Sequence, residues 1–414
     1  MDRFISPEEA CGLAPWAGRV ALEERGTGAL LLANAGKQST VDVDGAIERC
    51  LEQIDANMEY FGTEFPKAVC IDGVYPKTSG KDWTEGFWTG MLWLAYERTG
   101  DDRYASRAMQ NVESFAQRLK DNVVLDHHDL GFLYTPSCVA AYKITGDKLA
   151  RATALAAADR LMRRWQEKGR FIQAWGPMDS PEHHRFIVDC LMNIPLLFWA
   201  SHETGDERYG DIAAMHFQTT LENIFRSDAS TYHTFYMDMQ TGKADHGATR
   251  QGYADDSSWA RGQAWAMYGL PLNARLSDRE NEPELLHLSR SASRHFLNRL
   301  PKDGVCYWDL IFSDGDGMPR DSSSAAIAAC GLNEFTRVYG DSEDAEFFAD
   351  CERAVLNSLT KSYVPDTVLP GAPLLAHSVY SWHEGKGVDE GSTWGDYFYF
   401  EALMRQDGSW RPYW

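Results

Sequence analysis

Six times along this chain an aspartate opens a run of apolar, aromatic-rich sequence long enough for a helix: Asp82, Asp129, Asp189, Asp256, Asp321 and Asp396. The first run reads Asp82-Trp-Thr-Glu-Gly-Phe-Trp-Thr-Gly-Met-Leu-Trp-Leu-Ala-Tyr. The fourth reads Asp256-Ser-Ser-Trp-Ala-Arg-Gly-Gln-Ala-Trp-Ala-Met-Tyr. Four of the runs stop alike, at Thr99-Gly100-Asp101, Thr145-Gly146-Asp147, Thr204-Gly205-Asp206 and Tyr339-Gly340-Asp341. Aspartate before a helix can accept the free N–H groups of the first turn, and glycine after one takes the left-handed conformation without strain. Between these runs lie amphipathic, charged stretches near 43–60, 102–116, 147–166, 206–225, 281–299 and 342–361. A helix apolar all round is buried, and one with a charged face is not. The pattern therefore predicts six inner and six outer helices, the count of an all-α (α/α)6 barrel. An open solenoid is the other way to stack such pairs, but it needs polar capping repeats that this chain lacks.

The chain has 414 residues, more than one core usually holds. No Pro/Gly/Ser-rich linker or charge run divides it, so a single catalytic domain over 1–414 is expected, with 1–41 as an N-terminal extension. Long insertions precede several inner helices, at 61–81, 167–188, 226–255, 300–320 and 363–395. Long loops gathered at one end of an array usually carry function. Thr234-Phe-Tyr-Met-Asp-Met and Val305-Cys-Tyr-Trp-Asp-Leu-Ile have strand character and are expected to form small hairpins at the mouth.

The net charge of −21 argues against a nucleic-acid or acidic-membrane partner, which would need a basic face. It leaves room for a small anionic substrate in a local pocket of arginines and helix N-termini. Eight cysteines stand singly at 11, 50, 70, 138, 190, 306, 330 and 351, without zinc-site spacing. They read as reduced core residues of a cytoplasmic protein. The opening Met1-Asp-Arg-Phe-Ile-Ser-Pro-Glu-Glu has no signal-peptide pattern, and charges interrupt every helical run, so no membrane span is expected. Charge does not choose between a monomer and a homodimer.

A barrel with one acidic rim suits acid/base chemistry on a sugar. Asp189 lies among Ile187, Val188, Cys190 and Leu191, where poor solvation should raise its pKa and keep it protonated. A plain helix cap is the bland alternative for any one of the six aspartates. His127-His128-Asp129 and His183-His184 resemble metal ligands only superficially, since neighbouring residues rarely share a metal and no helical His pair follows. Arg261 and Trp265 are four apart on one helical face. A buried arginine needs an anion, either a structural aspartate or a bound carboxylate. Trp83, Trp175 and Trp265 sit beside polar motif residues, where flat rings could stack on sugar faces. No phosphate loop, Gly-x-Ser-x-Gly elbow or nucleotide fingerprint is present.

Taken together, these segments resemble the unsaturated glucuronyl hydrolases. The resemblance runs through Asp82–Tyr96, His128-Asp-Leu-Gly-Phe-Leu-Tyr, Asp189-Cys-Leu-Met-Asn-Ile-Pro-Leu-Leu and His233-Thr-Phe-Tyr. It continues in Gln251-Gly-Tyr-Ala-Asp-Asp-Ser-Ser-Trp-Ala-Arg-Gly-Gln-Ala-Trp and Gly385-Lys-Gly-Val-Asp-Glu-Gly-Ser-Thr-Trp-Gly-Asp-Tyr-Phe. It implies an (α/α)6 barrel without metal or cofactor, acting on oligosaccharides that carry a Δ4,5-unsaturated uronic acid at the non-reducing end. It implies Asp189 and Asp129 as the catalytic pair. Trp83, Trp175, His233, Gln251, Arg261 and Trp265 would line the subsite for the unsaturated sugar. In the implied chemistry, Asp189 protonates C4 of the vinyl ether, a water adds at C5, and the hemiketal opens. Asp129 would hold the ring hydroxyls or, in the competing assignment, act as a nucleophile.

One departure bears on specificity. Members that favour sulfated chondroitin fragments carry Ser-x-x-Ser-x-Lys here, and this chain has Ser378-Val-Tyr-Ser381-Trp-His383. The serines remain candidate contacts, and histidine for lysine points toward unsulfated glycosaminoglycan disaccharides, with Lys386 close by. Three rival readings stay open from sequence: an unsaturated rhamnogalacturonyl hydrolase with a pectic substrate, a sugar epimerase and a non-catalytic saccharide-binding barrel. A substrate panel separates the first. Survival of activity in Asp189→Asn would mark the second, and binding without turnover the third.

Overall fold

The computed structural model describes residues 13–414; Cys11 and the first part of the N-terminal extension lie outside the described residues. Its architecture is an (α/α)6 barrel. The inner ring runs Glu85–Thr99, Leu130–Tyr134 with its continuation Ala140–Thr145, Cys190–Asn193 with Pro195–Thr204, Ala260–Leu276, Ser322–Val338 and Thr393–Met404. The last of these packs on the first and closes the ring. The outer ring is Val43–Phe61, Asp102–Lys120, Lys148–Met162, Glu207–Asn223, Pro283–Leu297 and Ala345–Ser362. The second inner helix is joined through a π-helical turn, Thr135–Val139, where Pro136 has no N–H to give to the regular ladder.

Close approach of the inner helices needs glycine at two places near the future site. A Cβ on Gly86 would stand 2.2 Å from the Phe132 carbonyl oxygen, and one on Gly131 would stand 2.4 Å from Asn193 Cα. Side chains there would force the ring apart.

The Thr-Gly-Asp stops work as a two-part joint. Gly100, Gly146 and Gly205 take φ of 69°, 70° and 72° and end their inner helices. The aspartate that follows caps the next outer helix: Asp101 accepts from the Arg103 N–H, Asp147 from Ala150 and Asp206 from Arg208. The fourth stop differs, with Tyr339 ending its helix at φ −121°.

The six aspartates of the inner runs behave otherwise, which corrects the capping expectation. Asp129, Asp189 and Asp321 stand just before their helices, yet none accepts a backbone N–H of its own first turn. Asp82 and Asp256 precede their helices by several residues, and Asp396 lies inside a helix capped by Ser392. The reason is competition. Asp321 already accepts from the Ser323 and Ser324 hydroxyls at 2.5 and 2.6 Å and pairs with Arg261. Asp396 accepts the Leu374 and Leu375 N–H groups and the Tyr75 hydroxyl. Asp256 is exposed. Of the three that stand directly before a helix, Asp129 and Asp189 remain for chemistry.

The loops carry short strands. Arg185–Ile187, Thr234–Met237 and Ala244–Ala248 form a three-stranded antiparallel sheet, so the 234 segment is a strand as expected. The 305–311 segment is not. It makes only single bridges, because buried Asp309 turns back to the Tyr253 N–H and the Ser257 hydroxyl. A hairpin that the sequence pattern did not announce, Ser378–Ser381 with Lys386–Glu390, arches over the same end. The N-terminal helix Thr27–Gln38 packs along Ala345–Ser362, with Arg25 bonded to Asp344 at 2.7 Å. The seven described cysteines are buried and unpaired. Among the described residues no helix is long and apolar enough to cross a membrane.

Candidate active site

Asp129 and Asp189 open two inner helices that Gly131 lets approach closely. Asn193 couples them. Its Nδ2 donates to the Asp189 carbonyl at 3.0 Å and reaches the Asp129 carboxylate at 3.5 Å, while its Oδ1 accepts the Phe132 N–H at 2.9 Å. The two carboxyls sit in opposite environments. Burial pushes Asp189 up, the neighbouring Asp129 charge adds to it, and the group settles at about 6. Its Oδ1 is buried and has no protein partner. Burial works against the charge of Asp129 too, but the imidazoles of His128 and His127 outweigh it and hold that carboxyl well below the usual range. Those rings lie 3.2 and 3.4 Å from its oxygens. The His-His-Asp run is thus a carboxylate with two imidazoles beside it. Two acids whose environments push them apart are suited to separate tasks at one pH.

Around this pair the described side chains form a polar and aromatic wall. His233 accepts the Arg250 and Gln251 N–H groups at its Nδ1, each at 3.1 Å. That bond fixes the neutral tautomer, with the proton on Nε2, which is buried and without a partner. Burial and the charges of Arg261, Arg250 and Arg185 depress its pKa to about 3. Trp175 is half-buried, and the guanidiniums of Arg185 and Arg250 lie 4.6 and 5.7 Å from its ring centre. Trp83 is half-buried as well, stacked on Trp394 at 5.5 Å, and its Nε1 donates to the Tyr380 hydroxyl at 3.0 Å. Ser381 Oγ is buried and free of protein partners. In a chain of net charge −21, the charges of three arginines bear on this one histidine, a local concentration of positive charge.

Four expected contacts are placed differently. Arg261 has its anion within the protein: its terminal nitrogens donate to Asp321, to the Val379 and Tyr380 carbonyls and to Gln251 Oε1. It lies between Trp259 and Trp394, 4.5 and 5.0 Å from the ring centres. It organises the wall instead of offering a free fork, and Gln251 Oε1 is engaged with it. Trp265 is fully buried against Phe132 and Phe398, so no ring face is open for stacking; only its Nε1 lacks a partner. The Ser378 hydroxyl donates to the Glu390 carbonyl at 2.7 Å and serves the hairpin.

Sequence reasoning gave no site role to Asn193, Tyr380 or Arg185, and weighed His128 only as a metal ligand. Asn193 carried a signal, since it stands one helical turn after Asp189. Tyr380, next to Ser381, and Arg185, inside a loop, carried none, because their roles depend on contacts far along the chain.

With this geometry in view, comparison with known proteins is informative. The pattern of Glycosyl Hydrolase Family 88 matches residues 53–334. The chain is 51% identical over 377 residues to an unsaturated chondroitin disaccharide hydrolase of Streptococcus pyogenes serotype M1, covering 91% of this chain and 94% of that protein. The crystal structure of an unsaturated glucuronyl hydrolase from Streptococcus agalactiae superposes with a TM-score of 0.91 at 47% identity, over 95% of this chain and 99% of that one. An Asp-to-Asn mutant of that enzyme, solved with dGlcA-GalNAc6S bound, superposes with a TM-score of 0.84 at 43% identity over the same shares. The chain belongs to glycosyl hydrolase family 88.

Proposed function

We propose that this protein releases the non-reducing-end Δ4,5-unsaturated glucuronic acid from glycosaminoglycan oligosaccharides left by lyases, by hydrating the C4=C5 vinyl ether. The observation that carries the mechanism is the pair itself: a buried, partnerless Asp189 carboxyl at about 6 beside an Asp129 held ionised by two imidazoles. Protonated Asp189 gives its proton to C4, leaving oxocarbenium character between C5 and the ring oxygen. The carboxylate so formed takes a proton from a water as its oxygen adds to C5. The hemiketal opens, and the hemiacetal at C1 expels the second sugar with one water consumed overall. One residue serves as acid and then base because the cycle returns its proton. Asp129 holds the ring hydroxyls and keeps Asp189 protonated by its charge. The positive charge concentrated around His233 suits the substrate carboxylate, the His233 Nε2–H is a donor aimed from a neutral ring, and Trp83 and Trp175 offer partly open faces.

The second sugar is read as unsulfated. The His383 Nε2 donates to the Gly252 carbonyl at 2.9 Å, so that ring is turned to the neighbouring loop. Lys386 lies over the Tyr380 ring, 4.2 Å from its centre.

The test follows the near-ultraviolet absorbance of the conjugated double bond with unsulfated and sulfated chondroitin, hyaluronan and pectic disaccharides. Loss with the natural protein and not with Asp189→Asn is expected. No loss on any of these substrates would overturn the reading.

A further inference from the structure

We propose that Asn193 is a positioning residue that sets the Asp129 carboxylate against Asp189 for the reaction. The inference rests on the proposed hydration chemistry and extends it to a residue that touches neither the sugar nor the water.

The amide is fixed in orientation by its own bonds. Its Oδ1 accepts the Phe132 N–H at 2.9 Å, so the other end must be the NH2 group. That group has two protons, and two acceptors stand in reach: the Asp189 carbonyl at 3.0 Å and the Asp129 Oδ1 at 3.5 Å. The side chain is 1% exposed, so water does not compete for either. The bond to Asp189 anchors Asn193 one turn below the acid on the same short helix, Cys190–Asn193. The bond to Phe132 anchors it to the first turn of the helix that Asp129 opens. Asn193 therefore ties the two helix starts through three contacts, and the longest points at the carboxylate. At 3.5 Å that contact is loose, as catalytic contacts often are before substrate tightens them.

Among the described residues no other side chain links both elements in this way. His127 and His128 approach Asp129 from its own loop and can keep it charged, but they do not refer it to Asp189. Small misplacements of a charged group in a reacting site cost large factors in rate.

The experiment uses the full chain with Asn193→Ala, Asn193→Asp, Asp129→Asn and the double variant Asp129→Asn/Asn193→Ala. Each is assayed by loss of the conjugated double bond across pH, with thermal unfolding measured alongside. Asn193→Ala is expected to lower kcat about tenfold to a hundredfold while KM stays within about twofold. Its alkaline limb should move to lower pH, because a carboxylate released from its place no longer opposes ionisation of Asp189. In the Asp129→Asn background the same change should cost nothing further. Asn193→Asp keeps the shape if the alanine variant unfolds and, with no N–H to give the Asp129 carboxylate, should likewise lose kcat while KM holds.

A merely structural Asn193 would leave the pH profile unmoved and give an additive loss in the double variant. Either result overturns the proposal. Failure of the broader reading would look different, since the unaltered protein would then leave the double bond intact.

Discussion

The Trp83 indole donates to the Tyr380 hydroxyl at 3.0 Å across 297 residues, joining the loop before the first inner helix to the hairpin before the last. Trp394 completes the unit, stacked on Trp83 and 5.1 Å from the Tyr380 ring. The seam where the barrel closes is therefore also one wall of the proposed sugar site. Tyr380→Phe removes the acceptor and leaves a half-buried indole N–H, at a cost of about 1 kcal/mol. We expect KM to rise a few-fold with kcat unchanged, because the ring remains and only its orientation loosens. A fall in kcat at constant KM would place the hydroxyl in the chemical step.

Asp189 should set the alkaline limb of activity. Its folded pKa, about 6, is raised above the ordinary 3.8, so the acid form is lost as pH rises through that value and kcat/KM should fall about tenfold per unit above it. The same shift has a stability sign. The native state holds this proton more tightly than the unfolded chain, so stability falls as pH climbs from roughly 4 to 6 and stays lower beyond. The difference corresponds to about 3 kcal/mol between charge states. Asp189→Asn removes it, so the inactive variant is expected to unfold at higher temperature than the natural protein at pH 7 and at the same temperature near pH 4. Equal melting at both values would show that the carboxyl is not held in a desolvated state.

Much of this was legible in the residues because it rests on local rules. Gly100, Gly146 and Gly205 ended their helices as their type dictates, and the alternation of apolar and amphipathic runs set the two rings. Asp189 announced a raised pKa through its apolar neighbours. What could not be read was which carboxylates are occupied. Asp321 and Asp396 look like Asp189 in sequence, and only long-range partners, Arg261 for one and Tyr75 with the 374–375 backbone for the other, take them out of play. The Ser378–Ser381 hairpin was hidden for the same reason: its strand Lys386–Glu390 is charged and glycine-bearing, and pairing alone makes it a strand.

Arg261 separates two kinds of role. Its guanidinium answers Asp321, two carbonyls of the 379–380 strand and Gln251, and a lysine cannot make that fork. Arg261→Lys is expected to lower stability by on the order of 3 kcal/mol, since Asp321 stays buried with an incomplete partner. Activity should fall through disorder of the 379–381 strand, visible as weaker protection of its amides in hydrogen exchange. Unchanged stability with a raised KM would instead mean that the guanidinium is free to meet the substrate.

His233 should be silent to pH over the working range. With its pKa near 3 and Nδ1 accepting two backbone N–H groups, the ring stays neutral with its proton on Nε2. Nitrogen-resolved NMR should report that tautomer without titration between pH 5 and 8. His233→Phe keeps the packing on Trp259, 4.2 Å away, and removes the donor. A loss of about 1–3 kcal/mol in transition-state binding, ten- to a hundredfold or so in kcat/KM, is the expected result. Titration of the His233 ring nitrogens between pH 5 and 8 would contradict the assigned tautomer.

His383 gives the sharpest handle on the second sugar. The ring sits edge-on to Trp308 at 5.9 Å and donates to Gly252, fastening the hairpin tip to the loop that carries Gln251. A lysine at that position would exchange a ring engaged with Gly252 for a flexible ammonium. An exposed ion pair contributes up to about 1 kcal/mol, so His383→Lys should raise kcat/KM for a sulfated disaccharide about fivefold relative to the unsulfated one. His383→Ala separates charge from fastening, since it frees the tip without adding a cation. If the alanine variant shows the same gain on sulfated substrate, or if lysine accelerates both substrates alike, the change comes from a loosened hairpin. A gain confined to lysine and abolished by about 0.5 M salt would show that the missing cation at 383 sets the preference, because screening at that strength acts within a few ångströms.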